Sequence, residues 1–408
     1  MHYFKLLKKY PAYLSYGLVH YFFTAPGQTF FISLYVGYFT TNLDITQVDF
    51  DLYYSIATLL SALSLPWLGQ WIDKIRLQNF SLWLGLALIG FCGLASLVDH
   101  VITLLIALYG LRLCGQGLMG LTASTATARF FTDMRGQALS LVSFGVSFSE
   151  IILPLLFTGF LLKEMSWQAS WWVMAALVGG VFMPLVLGLV KRDSPFQFNL
   201  EEELAKTQGD QPDSNNVSRQ EVLRRPSFYL LNLVSLFPPF FLTGIIINKG
   251  LIGEANGWSE EWLALGLSVF GLTRLIANLI GGPLIDRFTA VRVFSFMLIP
   301  LMIGTLLLTM SDHPWIVIGF FLASGITASL NGLASTATWA ELYGTRYLGA
   351  IRSMASTFMV FSTAAAPLAL GWALDQPGQE NTTMFASSLV MFILTLAAFW
   401  QVRRLKLA

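Results

Sequence analysis

Three ionisable side chains lie inside long apolar segments of the sequence: Arg112, Glu150 and Arg274. A charged side chain at membrane depth is costly, so it normally faces water, an ionic partner or a substrate. Arg112 precedes Arg129 by 17 residues (129 − 112), and Glu150 follows Arg135 by 15 (150 − 135). On helices, both would lie roughly 23–26 Å from the same side of the membrane. One interpretation is a structural Arg112–Glu150 ion pair, and the other is proton uptake by Glu150.

Arg274 precedes Asp286 by 12 residues (286 − 274), and no acidic residue lies inside its own apolar run. A guanidinium matches the shape and charge of a carboxylate or a phosphate. Contact with a substrate or coupling ion is therefore one interpretation of Arg274, and a hydrogen-bond network with backbone carbonyls is the other. Two arginines against one glutamate favour an anionic substrate.

Polar residues at comparable depth complete the candidate binding set: His20, Gln28 and Asn331. His20 has the chemistry of a proton relay, but also that of a hydrogen-bonded packing residue. Asn331 belongs to a Ser/Thr-rich stripe, which is typical of a helix-packing seam and compatible with a binding surface. Pro26-Gly27 and Pro238-Pro239 each predict a helix kink, because proline removes a backbone hydrogen bond.

The composition is that of a protein whose main solvent is a lipid bilayer. Hydrophobic residues make up 55% of the 408 and charged residues only 12%, whereas a soluble protein has about 25% charged residues. The net charge of +1 gives no reason to expect a nucleic-acid partner. There is no Walker loop, nucleophile elbow or Cys/His metal spacing, so we expect neither an enzyme nor a bound cofactor.

Twelve apolar runs are long enough to cross a membrane as helices, which need about 20 residues each. These runs are 11–40, 47–69, 78–98, 101–129, 137–162, 166–190, 227–250, 258–282, 291–311, 314–340, 349–373 and 383–403. They predict an all-α membrane protein with two six-helix halves, 1–190 and 227–408. The polar stretch 191–226 is expected to be a cytoplasmic linker, partly helical at 200–206 and otherwise flexible.

Basic residues predict the orientation of these spans. Lys163 and Lys249 are the only Lys or Arg in one set of loops, and Arg112 and Arg274 lie within spans. The other 20 of the 24 (24 − 4) fall in the opposite loops and at the termini. The positive-inside rule then places both termini in the cytoplasm, in a multi-pass protein of the cell membrane.

Two segments match at an offset of 213 residues (282 − 69) and indicate a duplicated scaffold. Each has the pattern Gly-x-x-x-Asp-basic at the end of an apolar run. The copies are Gly69, Asp73 and Lys74 in the first half, and Gly282, Asp286 and Arg287 in the second.

With these features the chain resembles the major facilitator superfamily, whose loop signature is Gly-x-x-x-Asp-[Arg/Lys]-x-Gly. Arg76 replaces the second glycine in the first copy. The resemblance implies that the loop aspartates form a conformational latch by capping helix starts. Asp73 would meet the span that starts near Gly349, and Asp286 the one near Gly136. A solvated turn residue is the alternative.

The resemblance also extends to span signatures. Arg112 and the glycines after it are similar to the family's fourth-span motif, whereas the Gly-rich motif of antiporters is poorly matched in the fifth span. Transporters of monocarboxylates and oxalate in the family use an eighth-span arginine for the substrate carboxylate. This implies that Arg274 is a substrate anchor.

The functional prediction is a secondary active transporter that moves a small organic anion, such as a carboxylate, by alternating access. Protons are the expected coupling partner, a small molecule the substrate, and a monomer the expected state. Export of drugs, siderophores or other amphipathic compounds is the alternative, and a non-transporting membrane sensor or scaffold is a third possibility.

Overall fold

The structure, a computed structural model, describes residues 7–69, 71–131, 135–189, 219–343, 348–376 and 378–407. All regular secondary structure in these ranges is helical. The helix predicted at 200–206 lies outside the described residues.

Ten helices in the described part of the chain are long and apolar enough to cross a membrane. Two further segments complete the twelve predicted spans. One is the helix Gln47–Gly69, which has 23 residues, and the other is a first span built from short helical pieces. The protein is therefore an all-α membrane protein, as predicted.

The twelve spans, numbered in chain order, have the following helical segments. The first half contains Pro11–Phe22, Ala25–Gly27, Thr29–Ile32 and Val36–Leu43 (span 1); Gln47–Gly69 (span 2); Leu77–Ser96 (span 3); Val101–Leu111, Arg112–Met119 and Gly120–Phe130 (span 4); Arg135–Leu156, Phe157–Leu161 and Leu162–Glu164 (span 5); and Trp167–Leu177, Val178–Phe182 and Met183–Leu189 (span 6). The second half contains Pro226–Ile247 (span 7), Glu260–Phe288 (span 8), Ala290–Phe296 and Ile299–Leu307 (span 9), Trp315–Tyr343 (span 10), Leu348–Leu374 (span 11) and Glu380–Leu407 (span 12). Trp71–Lys74, Arg219–Arg224 and Lys249–Asn256 are short connecting helices.

The chain divides into two compact units, Met1–Glu203 and Leu204–Ala408. Within the first, span 1 packs on span 5, span 2 on span 4, and span 3 on span 6. Within the second, span 7 packs on span 11, span 8 on span 10, and span 9 on spans 10 and 12. Large apolar side chains such as Trp83 and Met310 are 68% and 74% exposed. This is unusual in water and expected of a surface that faces lipid.

The C-terminal end of the predicted linker contains a helix. Arg219–Arg224 is helical, and its Val222 is fully buried in a core cluster with Phe228 and Tyr343. One apolar side chain thus packs this turn against the second half, at a place where the sequence predicted no helix. Tyr229 also donates a hydrogen bond to the carbonyl of Leu223, at 3.0 Å.

Span 1 departs most from the predicted helix. The first helix ends at Phe22, a 3-10 turn covers Ala25–Gly27, and Gln28 is extended with ψ 147°. Pro26 has no N–H, so the helix cannot continue through it with normal hydrogen bonding. The predicted kink is thus a complete break. By contrast, span 7 stays a single helix through Pro238 and Pro239.

Candidate functional site

The break in span 1 is held by a close approach of span 4. An added Cβ on Gly27 would lie 2.0 Å from the carbonyl oxygen of Leu111 and 2.6 Å from the amide nitrogen of Gln116. On the opposite side, a Cβ on Gly115 would lie 2.7 Å from the nitrogen of Gly27. Both positions therefore require glycine. The contacted part of span 4, Arg112–Met119, is π-helical, a local widening that is frequent at functional sites.

Arg112 completes this junction. Phe31 donates its N–H to Gln28, so the carbonyl of Gly27 is not used by the helix that follows. Arg112 Nη1 donates to that carbonyl at 3.1 Å, and Arg112 Nε donates to Thr58 Oγ1 at 3.1 Å. Arg112 is only 3% exposed. Buried polar groups need hydrogen-bond partners. The Arg112 guanidinium and the Gly27 carbonyl supply partners to each other, because the break in span 1 leaves that carbonyl without a donor from its own helix.

Span 2 supplies the remaining contacts of Arg112. Its guanidinium carbon lies 5.0 Å from the centre of the Tyr54 ring. Nη1 also approaches Thr29 Oγ1 at 3.5 Å, and Thr29 Oγ1 lies 2.9 Å from the Tyr54 hydroxyl. The predicted Arg112–Glu150 ion pair stays a prediction.

Glu150 itself is buried, at 5% exposure, in the helix Arg135–Leu156. Pro154 lies four residues later in the same helix and has no N–H to donate to the Glu150 carbonyl. Glu150 is thus a carboxyl group deep in a span, at a turn where the helix lacks one backbone hydrogen bond.

His20 belongs to a hydrogen-bond network between spans 1 and 3. Its Nδ1 lies 2.8 Å from the Tyr16 carbonyl, and its Nε2 lies 2.9 Å from Ser81 Oγ. The Tyr16 hydroxyl is 2.6 Å from the same Ser81 oxygen. A carbonyl only accepts, so Nδ1 carries a proton; in a neutral imidazole Nε2 then accepts from Ser81, and Ser81 accepts from Tyr16. His20 is fully buried, and this arrangement favours the packing interpretation over a proton relay.

Gln28 is half-buried immediately after the break. Its Nε2 donates to Thr24 Oγ1 at 3.4 Å, and its backbone caps the short helix Thr29–Ile32. This placement keeps it beside the junction of Gly27 with span 4.

Arg274 lies at the midpoint of span 8. It is 14 residues from Glu260 (274 − 260) and 14 from Phe288 (288 − 274), or about 21 Å from each end. Arg274 is half-buried, unlike Arg112. Span 10 touches span 8 at this level, since a Cβ on Gly325 would lie 2.6 Å from the Phe270 carbonyl oxygen and 3.1 Å from the Arg274 nitrogen.

Asn278 is a polar neighbour that the sequence reasoning missed. It follows Arg274 by four residues (278 − 274) and so shares a face of the helix with it. Its Oδ1 accepts from Ser329 Oγ at 2.8 Å. That bond leaves its amide N–H groups as donors, which is the chemistry that an anion requires. The only sequence signal was the helical spacing from Arg274.

Asn331 connects spans 10 and 7. Its Nδ2 donates to the carbonyl of Ser235 at 3.1 Å. Pro239 is four residues after Ser235 and has no N–H, so that carbonyl has lost its partner within span 7. Asn331 Oδ1 in turn accepts from Ser235 Oγ at 3.1 Å and from Ser335 Oγ at 3.0 Å. These residues line a recess of about 150 Å³.

The two copies of the loop signature differ in structure. Gly69 ends span 2 and is buried, with Leu121 Cδ2 2.8 Å from its would-be Cβ. The second copy lies entirely within the helix Glu260–Phe288, which continues six residues (288 − 282) beyond the predicted apolar run. Gly282 has open space around its Cβ position, and Arg287 is exposed with its guanidinium carbon 5.4 Å from the Phe288 ring centre.

The side chains of Asp73, Lys74 and Asp286 lie outside the described residues. Spans 5 and 11 begin at Arg135 and Leu348, one residue before the expected partners Gly136 and Gly349. The latch stays a prediction.

A carboxylate that the sequence reasoning missed does cap a helix start in the second half. Glu341 Oε2 accepts from the N–H of Ala290 at 3.1 Å and of Val291 at 3.4 Å. These are free donors of the first turn of span 9, where a negative charge is stabilising. Glu341 therefore links the end of span 10 to the turn between spans 8 and 9.

Solved structures with the same fold are transporters. A bacterial homologue of the human lysosomal transporter Spinster, inward-facing and unoccupied, superposes with a TM-score of 0.71 at 14% identity, covering 96% of each chain. The nucleoside transporter NupG superposes with a TM-score of 0.69 at 12% identity, covering 95% of this chain and 98% of that one. None of the curated proteins has a sequence that matches this chain significantly.

The sequence also matches a family model directly. The model of the Major Facilitator Superfamily covers residues 18–252 and 239–407, which is nearly the whole chain and both halves. Its fold and family are those of membrane transporters rather than enzymes. This multi-pass membrane protein belongs to the Major Facilitator Superfamily.

Proposed function

We propose that the protein is a secondary active transporter of a small organic anion, such as a carboxylate, with Arg274 as the substrate anchor. The observation that carries the proposal is the position of Arg274, half-buried at the midpoint of a 29-residue membrane helix. A half-buried guanidinium at that depth can pair with the negative charge of a bound anion.

The neighbourhood of Arg274 supports an anion rather than a cation. Asn278 lies one turn away and keeps amide donors after its bond to Ser329. Donors and a fixed positive charge on one helix face are complementary to a carboxylate. Arg112 is buried and donates to Gly27 and Thr58, whereas Arg274 is half-buried and therefore more accessible to a bound molecule. We therefore assign substrate contact to Arg274 and a supporting role to Arg112.

Proton coupling is proposed to involve Glu150, a carboxyl group buried within span 5. Burial makes the charged form of a carboxyl costly, so a proton can be exchanged when the environment changes between two conformations. The distribution of Lys and Arg supports cytoplasmic termini and a location in the cell membrane. The loop aspartates Asp73 and Asp286 are proposed to act as latches between conformations.

Export of amphipathic compounds is the second candidate. It is favoured by the recess near Asn331, which combines hydroxyl groups with the apolar side chains of Trp339 and Met359. Such a lining suits a molecule with polar and apolar parts.

Uptake into proteoliposomes separates these candidates. Labelled mono- and dicarboxylates would be tested with and without an imposed pH gradient, beside a panel of amphipathic dyes. Saturable uptake of at least one acid, accelerated by the gradient and abolished by Glu150→Gln, is expected. Absence of flux for every acid, together with dye transport that is insensitive to Arg274→Leu, would favour the exporter.

A further inference from the structure

The recess in the second half contains three oxygen atoms that lie within hydrogen-bond distance of one another. Ser235 Oγ is 3.1 Å from Asn331 Oδ1, Ser335 Oγ is 3.0 Å from Asn331 Oδ1, and the two serine oxygens are 2.9 Å apart. They form a nearly regular triangle, which we call the oxygen triangle. All three atoms belong to side chains of spans 7 and 10.

The orientation of the Asn331 amide is fixed by the backbone. The Ser235 carbonyl can only accept, so Nδ2 of Asn331 must point to it, at 3.1 Å. Oδ1 of Asn331 therefore points to the serines and can only accept. The carbonyl is available because Pro239 has no N–H to donate to it. The acceptor at the Asn331 corner is thus a consequence of the proline pair in span 7.

The oxygen triangle has three edges and two protons. Each serine hydroxyl carries one proton, and Asn331 Oδ1 carries none. Whichever way the hydroxyls of Ser235 and Ser335 rotate, one edge brings two oxygens together without a hydrogen between them. A group that brings its own N–H or O–H to these oxygens supplies the missing donor. A second acceptor, such as a carboxylate, would have to compete with Asn331 Oδ1 for the two serine protons.

The rest of the recess is shaped for a small apolar body. Leu236, Trp339 and Met359 line it beside the oxygen triangle, and its volume of about 150 Å³ exceeds the roughly 10–15 Å³ that one water needs on the same measure. Gly332 also lines it, and a Cβ there would meet nothing within 4 Å. Met359 is 41% exposed, so the recess is open at this side.

We propose that this recess is a binding site for a small molecule that carries a hydroxyl or ammonium group on a compact apolar body. The donor group binds the oxygen triangle of Ser235, Asn331 and Ser335, and the apolar part packs against Leu236, Trp339 and Met359. The site lies wholly in the second half. It stands on contacts other than those of Arg274 and does not depend on the transport of an anion.

The test uses three fluorinated probes of nearly equal size and the purified full-length protein. 4-Fluorobenzyl alcohol and 4-fluorobenzylamine carry a donor, whereas 4-fluorobenzyl methyl ether does not. Binding is followed by fluorine NMR line broadening as the protein is titrated. We expect the alcohol or the amine to bind about tenfold more tightly than the ether, the equivalent of about 1.4 kcal/mol. Equal binding of all three, or no binding, would overturn the proposal.

Two variants locate the binding. Ser335→Ala leaves two oxygens and one proton, so the triangle no longer lacks a donor, and the preference over the ether should disappear. Gly332→Leu fills the recess without touching the triangle and should abolish binding of both donor probes. Gly90→Leu is the matched control, because Gly90 is exposed on span 3 and its Cβ position is also open. Undiminished binding by correctly folded Gly332→Leu protein would place the probes elsewhere and contradict the proposal.

Discussion

The two halves use equivalent helices to support a span disturbed by proline, but they do so with different chemistry. In the first half, span 1 breaks at Pro26, and Arg112 of span 4 donates to the Gly27 carbonyl. In the second half, span 7 stays helical through its prolines, and Asn331 of span 10 donates to the Ser235 carbonyl. The first half therefore combines a charged donor with a broken helix. The second half combines a neutral amide donor with a continuous helix.

The same comparison separates the two midplane arginines. Arg112 is 3% exposed and engaged by its own half, whereas Arg274 is half-buried at the centre of span 8. The position equivalent to Arg112 in the second half is Gly325 (112 + 213), which lets span 10 touch span 8 beside Arg274. The midplane arginine therefore belongs to span 4 in the first half and to span 8 in the second.

The largest effect is expected where the first-half junction is tightest. Gly27→Ala places a Cβ 2.0 Å from the Leu111 carbonyl oxygen, and neither backbone can yield cheaply. We expect destabilisation beyond the about 1–3 kcal/mol of ordinary overpacking, visible as loss of the monodisperse peak in size-exclusion chromatography. The equivalent second-half position is Phe240 (27 + 213), and Phe240→Ala should remain monodisperse. Normal behaviour of Gly27→Ala would show that the junction is loose.

The next largest effect is the difference between Arg112 and Arg274 in their contribution to the free energy of unfolding. Arg112→Leu leaves the Gly27 carbonyl and the Thr58 hydroxyl without their buried donor and should lower the free energy of unfolding by about 3 kcal/mol. Arg274→Leu should lower it by less, because Arg274 is half-buried rather than fully buried. Thermal unfolding in one detergent, followed by tryptophan fluorescence, compares the two. An equal loss for both variants would remove the distinction drawn between them.

A smaller effect is expected for Asn331, the uncharged donor in the second half. Asn331→Leu removes the donor to the Ser235 carbonyl, and we expect a loss of about 1–2 kcal/mol in the same assay. This should be clearly less than for Arg112→Leu, because an amide makes fewer and weaker bonds than a buried guanidinium. A larger loss for Asn331→Leu would reverse the ranking of the two halves.

The smallest effect concerns the loop ends of spans 2 and 8. The hydroxyl and the N–H of Thr46 donate to the Asp49 carboxylate, at 2.6 and 3.0 Å, in the first turn of span 2. A carboxylate is a stronger acceptor than an amide, and its negative charge is stabilising at a helix start. Asp49→Asn should therefore lower the unfolding temperature slightly.

Span 8 provides the control for this effect. Its N-cap, Ser259, makes no side-chain capping bond, so Ser259→Ala should leave the unfolding temperature unchanged. An equal loss for Asp49→Asn and Ser259→Ala, or no loss for either, would contradict the role assigned to the Asp49 carboxylate.

The twelve spans could be predicted from the sequence because each is a long apolar run, and hydrophobic length is a local property. The break at Pro26 was only partly predictable, since proline indicates a disturbed helix but not whether a neighbour fills the gap. Span 7 shows the difference, because two prolines there leave one helix intact. The continuation of span 8 to Phe288 was missed, because Gly282 and Pro283 are tolerated within the helix.

The site was predicted as a set of residues but not as a set of contacts. Arg112, Glu150 and Arg274 were found because charge is rare in apolar spans. Their partners depend on helix rotation, which an almost uniformly apolar helix does not reveal. The donor to the Gly27 carbonyl could not be foreseen for the same reason, and neither could the role of Asn278.

The central claim is that Arg274, and not Arg112, anchors an anionic substrate. It is tested most directly by the uptake of an acid identified in the proteoliposome panel, measured for Arg274→Lys, Arg112→Lys and wild type at equal amounts of folded protein. Lysine keeps the charge but loses the bidentate geometry. We predict that Arg274→Lys raises the KM at least about tenfold, equivalent to about 1.4 kcal/mol of binding free energy, whereas correctly folded Arg112→Lys keeps a KM near that of wild type. An unchanged KM for Arg274→Lys, with a raised KM for Arg112→Lys, would contradict the account.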